Sequence, residues 1–248
     1  MPCLVKRDYA GAMIKPLLVF FAGTLLLGAI AKSETLPEAR AKFSAADALL
    51  NQAYQKAKEE MPEWRLDTLQ EEQREWLSYR DSRSEAAAAL EGQAREGEEK
   101  SNVEYWVAMT YLTETRIAIV EAWMKIDENP GEWEGVWSDG YGGELAIFET
   151  GGRSIEFFLE VVRGPTYHLG SIGGIAETNE HEARFSIQEE SVDKPTWLTF
   201  HHTGGRIKVS GVNTQMYHGA RAYFDGTYIR VRELTAEDRK RIEEQGGY

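Results

Sequence analysis

This sequence has almost no cysteine, and its basic residues are far fewer than its acidic ones. The 248 residues include one cysteine, Cys3, so the chain cannot form an internal disulfide and depends on packing for stability. Its 28 Lys and Arg face 41 Asp and Glu, which gives a formal net charge of −13. Such a surface repels phosphates and argues against a nucleic-acid partner. It is compatible with a cationic partner, although acidity also serves solubility.

Motifs that mark common active sites are missing as well. The sequence has no HExxH motif and no nucleophile elbow. The glycine-rich stretch GSIGGIAE, residues 170–177, has no P-loop lysine after it, so we predict a bend in a β context and not a phosphate cradle. Acidic pairs are too frequent in so acidic a chain to indicate a glycosidase dyad. We therefore expect a protein without catalytic activity.

Histidine is scarce and confined to the second half of the chain. A zinc site needs three or four ligands, and neighbours such as His201 and His202 point to opposite faces of a regular strand. We therefore predict no metal and no other cofactor. The five histidines are His168, His181, His201, His202 and His218.

The one long apolar run lies near the amino terminus. MIKPLLVFFAGTLLLGAIA, residues 13–31, has a lysine, an apolar stretch and a small-x-small ending at Ala31. This pattern predicts a signal peptide over residues 1–31, cleaved after Ala31, and a periplasmic or secreted protein. The alternative is an uncleaved anchor, but the run is shorter than the ~20 apolar residues that a membrane span needs. Translation from Met1 or from Met13 stays open. Cleavage would remove three basic residues and one acidic residue, leaving a charge of −15.

Residues 32–128 have helical composition, rich in Ala, Leu, Glu, Gln, Lys and Arg. We predict a bundle of three antiparallel helices, with Pro62 between the first two and a polar loop over residues 91–102 before the third. Apolar residues recur at helical spacing in all three. The stripes are Ala46, Leu50, Tyr54, Ala57 and Met61; Leu66, Leu69, Gln73, Trp76, Leu77 and Arg80; and Trp106, Met109, Thr113, Ile117, Val120 and Met124.

After the break at residues 127–132, short segments rich in β-branched and aromatic residues follow one another between turn residues. About eight such segments predict a small antiparallel barrel or sandwich over residues 132–234, closed by a hairpin with Asp225 and Gly226 as its turn. A polar helix with Thr235 as N-cap is expected over residues 235–248. The fold class is thus α+β with two domains, and of the two β architectures we prefer the barrel.

Polar residues interrupt the apolar stripe of the second helix. Gln73, Trp76 and Arg80 share the inward face with leucines, and a buried arginine requires a carboxylate or carbonyl partner. Asp47 and Asn51, one turn apart on the first helix, can supply it. We predict a hydrogen-bonded polar core that fixes the register of the helices.

The same residues carry a family resemblance. The segment resembles the N-terminal domain of the lysozyme inhibitor LprI family, in which an aspartate precedes a Leu-Asn-x-x-Tyr motif. A Leu-x-x-x-Gln-x-x-Trp-x-x-Tyr-Arg-Asp motif and a late arginine follow. The matching residues are Asp47, Leu50, Asn51, Tyr54, Leu69, Gln73, Trp76, Tyr79, Arg80, Asp81 and Arg116. The family usually has a cysteine where Ser84 stands, so its stapling disulfides are absent here.

The second half resembles small lipocalin-like barrels, through the Trp-x-Gly-x-Trp pattern that ends at Trp137. Together the resemblances imply a non-catalytic binding protein and suggest a cationic lysozyme as its partner. The alternative is a carrier of a small apolar ligand. A carrier requires an open apolar cavity inside the barrel, whereas an inhibitor can have a filled one. Net charge does not favour either half as the binding part, because residues 32–128 sum to −8 and residues 129–248 to −7.

Overall fold

A computed structural model describes residues 34–126, 131–164, 167–179, 181–189 and 193–245. The described residues form one compact unit. The predicted signal peptide lies outside the described residues, as does most of the predicted break between the two halves. The proposed domain boundaries stay a prediction. Across the described ranges, no helix combines the length and the apolar character that a membrane crossing requires.

Three packed helices form the first half, as predicted. They are α1 (Leu36–Glu60), α2 (Glu63–Leu90) and α3 (Val103–Lys125), and a 3-10 turn, Glu99–Ser101, lies in the loop before α3. Glu38 accepts a hydrogen bond from the Thr35 backbone at the start of α1, at 2.9 Å. The Asn102 side chain accepts one from the Glu104 backbone at 2.8 Å. Both satisfy helix N-terminal groups that have no partner within the helix.

Burial follows the predicted stripes for α1 but not throughout α2 and α3. Leu77 of α2 is 39% exposed, so the prediction that it faces the core is wrong. The buried face of α2 is instead rotated toward Arg65 and Arg83, because the helix packs on the barrel as well as on its neighbours. In α3, burial extends beyond the predicted stripe to a second face with Arg116 and Trp123, since α3 contacts α1, α2 and the last strand.

Eight antiparallel strands form a closed barrel in sequential order, with β8 pairing back to β1. Alternate side chains of each strand fill the interior, as β3 illustrates with Ile155, Phe157, Leu159 and Val161. The strands are β1 (Gly135–Ser138), β2 (Gly143–Glu149), β3 (Ser154–Arg163), β4 (His168–Thr178), β5 (Glu182–Ile187), β6 (Thr196–Thr203), β7 (Arg206–Val212) and β8 (Gly226–Arg232).

Two local predictions in the barrel are wrong. Asp225 and Gly226 do not form a tight hairpin turn: residues 213–225 are a long connection with a 3-10 turn, and the Asp225 carboxylate accepts a hydrogen bond from the Gly211 amide. The stretch GSIGGIAE is not a bend but lies within β4. Its glycines make room for neighbours, since a Cβ on Gly174 would overlap the Phe185 ring.

The carboxyl-terminal helix, α4 (Ala236–Gln245), covers the outside of the barrel. Thr235 caps it as predicted, with the Asp238 amide donating to the Thr235 hydroxyl at 3.2 Å. Ile242 is fully buried against the outward-facing side chains of Val136, Ala146 and Phe158. One face of the helix, with Ile242 and the buried Asp238, therefore belongs to the packed structure.

Candidate functional site

Arg80 is the centre of the first group of motif residues. Its side chain is 11% exposed and its Nη1 lies 3.8 Å from Asp47 Oδ1, the partner predicted from the sequence. Its Nε and Nη2 donate to Asp81 Oδ1, each at 3.1 Å, and Asn51 donates to Asp47 Oδ2 at 3.1 Å. Asn51 and Asp81 are exposed, so this group lies at the edge of the bundle and not inside it.

Arg116 is the centre of a second, interior group. It is 1% exposed, and its Nε donates to Gln73 Oε1 at 2.8 Å. Its Nη2 lies 3.9 Å from Glu72 Oε2, which also accepts a hydrogen bond from Trp123 Nε1 at 3.1 Å. Burial lowers the pKa of Arg116 and raises that of Glu72, although each opposes the shift of the other. Arg116 is thus shielded from water, whereas the Glu72 side chain is 35% exposed.

Trp76 joins the two groups. The guanidinium of Arg80 lies 5.2 Å from its ring centroid and that of Arg116 lies 5.6 Å from it, so both arginines are within cation–π range of one indole. Tyr54 is half-buried against the same bundle core, and burial raises its pKa. The predicted motif is thus brought together around one tryptophan. Its role as a structural polar core stays a prediction.

Sequence reasoning missed several buried polar residues of α2. Arg83 Nη1 donates to the carbonyl of Gly164 in the barrel, and its guanidinium lies 4.0 Å from the Tyr167 ring centroid. Ser84, at the position of the expected cysteine, is fully buried and donates to the Arg80 carbonyl at 2.9 Å. Arg83 is seven residues after Trp76, and that spacing alone places it on the buried face.

The outward side of α2 has an unbalanced charge. Six acidic residues are exposed there and Arg74 is the one exposed basic residue, because Arg65, Arg80 and Arg83 are turned inward. The exposed acidic residues are Glu63, Asp67, Glu71, Glu75, Asp81 and Glu85.

Trp64 adds an aromatic side chain to this surface and is 65% exposed. Helical spacing puts Asp67, Glu71 and Glu75 on the same side of α2 as Trp64, and we call these four residues the outer α2 face. The outer α2 face thus combines one exposed aromatic ring with three exposed carboxylates.

The barrel interior is occupied by its own side chains. Phe157 packs edge-on against Phe185 and Phe200, with ring centroids 5.1 and 4.8 Å apart. A cavity of about 260 Å³ lies outside this core, between the end of α3 and strand β8. Interior positions that a carried apolar ligand would need are therefore filled.

The histidines of β6 point to opposite faces, as predicted. His202 is buried between Trp133 and Trp137, with ring centroids 5.1 and 5.5 Å away. His201 faces outward, with its Nε2 3.1 Å from Glu182 Oε2. Within the part of the chain that the structure describes, no three His, Cys, Asp or Glu side chains are grouped as metal ligands would be.

The fold and the site define a class of protein in which a three-helix unit with an arginine-centred polar motif precedes a filled, closed β-barrel. Residues 30–119 match the family model described as Lysozyme inhibitor LprI, so the helical part of the chain is an LprI domain. No curated protein and no solved structure matches the chain.

Proposed function

We propose that this chain is an exported, non-catalytic protein that binds and inhibits a cationic lysozyme in the periplasm or outside the cell. The observation that carries the proposal is the LprI match over residues 30–119. The predicted signal peptide supports the location, since lysozyme substrates lie outside the cytoplasm.

The outer α2 face supports the choice of partner. Its carboxylates are exposed, and the inward turn of three arginines makes the surface of α2 more acidic than its sequence. Lysozymes are usually strongly cationic, so an anionic face would steer them toward the chain and orient them there. Trp64 at its amino-terminal end supplies apolar contact area of the kind that dominates binding energy.

The alternative of a small-molecule carrier receives less support from the structure. Ligand pockets usually enclose about 300–1,000 Å³, whereas the barrel interior is filled by rings such as Phe157 and Phe200. The barrel therefore resembles a packed scaffold more than a ligand-binding cavity.

Lysis of a cell-wall suspension by a cationic lysozyme tests the proposal directly. The purified protein should slow lysis with a saturable, near-stoichiometric dose dependence at ~0.15 M salt. Nonspecific attraction should fade as the Debye length falls from ~10 Å at 0.1 M to ~3 Å at 1 M. Failure to inhibit any lysozyme at physiological salt would remove the proposed activity.

Charge-neutral variants test the outer α2 face. The triple variant Asp67→Asn, Glu71→Gln, Glu75→Gln should raise the inhibition constant by about tenfold, a loss of about 1.4 kcal/mol. The matched control replaces three exposed carboxylates elsewhere, Glu177, Glu237 and Glu243, by glutamine. Both variants change the net charge equally. Equal losses would show that the whole-molecule charge, and not this face, attracts the enzyme.

A further inference from the structure

The turn between β1 and β2, residues 138–143, lies directly against the LprI motif. The Tyr141 ring packs edge-on against Tyr79 of α2, with centroids 5.2 Å apart. Its hydroxyl donates to the Glu72 carbonyl at 3.4 Å. A Cβ on Gly140 would lie 3.5 Å from Arg116 Nη1 and 3.5 Å from Ile119 Cγ1. The barrel thus reaches the interior group of the motif through one turn.

This turn is held rigid from within the barrel. Asp139 Oδ1 accepts hydrogen bonds from the amides of Tyr141 and Gly143, each at 2.8 Å. Arg163 Nη1 lies 2.6 Å from Asp139 Oδ2 and donates to the Tyr141 carbonyl at 2.9 Å. The Arg163–Asp139 pair is almost fully buried, so the turn is anchored by a desolvated ion pair with its hydrogen bonds satisfied.

Glycine at residue 142 permits the close approach. Its φ is +89°, a conformation that other residues rarely adopt, and a Cβ there would overlap the Val162 carbonyl and lie 3.3 Å from the Tyr79 hydroxyl. The backbone of the turn therefore fits between β3 and α2 only if residue 142 has no side chain.

Much of the contact is shielded from solvent, since Arg116 is 1% exposed and both tyrosines are partly buried. Burial raises the pKa of Tyr141 to about 12 and also raises that of Tyr79, while it lowers the pKa of Arg116. Arg116 has Glu72 and Gln73 as its polar neighbours and is covered on the Gly140 side by the turn. With the turn removed, this guanidinium would be open to water or to another ligand.

Two more contacts fix the barrel on the helices. The Arg206 guanidinium of β7 lies 5.2 Å from the centroid of Trp123, the residue that donates to Glu72. A Cβ on Gly205 would overlap the Ile126 carbonyl at the end of α3, so the β6–β7 turn also touches the helical half.

We infer that the LprI motif residues Tyr79 and Arg116, together with the Glu72 carbonyl, form an intramolecular binding site whose occupant is the barrel turn of residues 138–143. These two motif residues bind the second half of the same chain. They are covered by it, so an external protein must use another surface of the helical domain.

Amide hydrogen exchange of the full chain, measured by mass spectrometry, tests the inference. Arg116→Met and Tyr79→Ala should each raise the exchange rate of the 138–143 turn by about tenfold, equivalent to 1.4 kcal/mol of lost protection. Arg80→Gln is the matched control, because Arg80 belongs to the same motif but pairs with Asp47 and Asp81 away from the turn. The control should leave the turn unchanged.

The reciprocal experiment changes the occupant. Tyr141→Ala should raise exchange in α2 around Glu72 and in α3 around Arg116, since binding energy is shared by both sides. Tyr141→Phe removes only the hydroxyl that donates to the Glu72 carbonyl and serves where the larger changes unfold the protein. Exchange changes confined to the mutated element, or equal in the Arg80→Gln control, would overturn the inference.

Discussion

Trp76 shows how one side chain can support two charged groups at once. Its indole is buried and lies within cation–π range of both Arg80 and Arg116. Trp76→Ala should lower the free energy of unfolding by ~3–5 kcal/mol, the usual cost of removing a buried aromatic side chain. Denaturant titration measures this, and Trp76→Phe should recover part of the loss. If Trp76→Ala unfolds like the parent but no longer inhibits lysozyme, the residue belongs to a binding face.

His202 gives the barrel a predictable response to pH. Burial lowers its pKa from the ordinary 6.5, His181 lowers it further, and Glu149 opposes both. The unfolded chain therefore takes up the proton at a higher pH than the folded chain, so stability is complete above about pH 6.5 and falls below it. His202→Gln should flatten this loss in melting temperatures measured between pH 7 and pH 5. If the melting temperature of His202→Gln falls with pH as steeply as that of the parent, other groups cause the loss of stability.

At the scale of elements, local periodicity predicted most of the architecture. Period-3.6 stripes gave three helices, and period-2 alternation gave strands with one buried face, as Ile155 and Phe157 show. What it missed depends on long-range packing. Leu77 has helical spacing suited to burial, yet the barrel draws the buried face of α2 toward Arg83. Tyr141, a large aromatic in a glycine-rich turn, was the available sign of a contact between the halves.

The helix α4 provides a test of an element that composition describes as a polar tail. Ile242 is its one fully buried apolar side chain, and Arg241 bridges Glu144 at 2.5 Å and Glu160 at 3.3 Å on neighbouring strands. Ile242→Ala should cost about 2–5 kcal/mol of unfolding free energy by leaving a cavity over the barrel. The exposed neighbour gives the control: Glu243→Ala should stay within about 0.5 kcal/mol of the parent. If both substitutions lower the free energy of unfolding by similar, small amounts, α4 is not part of the cooperative fold.

At the scale of the whole molecule, the contact between the helical half and the barrel is important for stability because disulfides are absent. An exported protein commonly relies on disulfides when its cores are small. Here the helical half gains buried partners from the barrel instead, including Ile229 of β8 and the Tyr141 turn. Arg116 and its neighbours, which stabilise the contact between the halves, are thus buried. The carboxylates of the outer α2 face are directed toward solvent.

Processing at the amino terminus determines which molecule meets a partner. We expect cleavage after Ala31, because the apolar run ends there in a small-x-small sequence. The remaining chain would start at Lys32, just before α1, and its charge would be −15. Amino-terminal sequencing of protein recovered from the periplasm or the medium measures this. Replacing Ala29 and Ala31 by leucine should block cleavage and leave the chain in the membrane fraction. Recovery of the unaltered chain there with Met13 intact would instead identify the segment as an anchor and move the proposed encounter with lysozyme to the membrane surface.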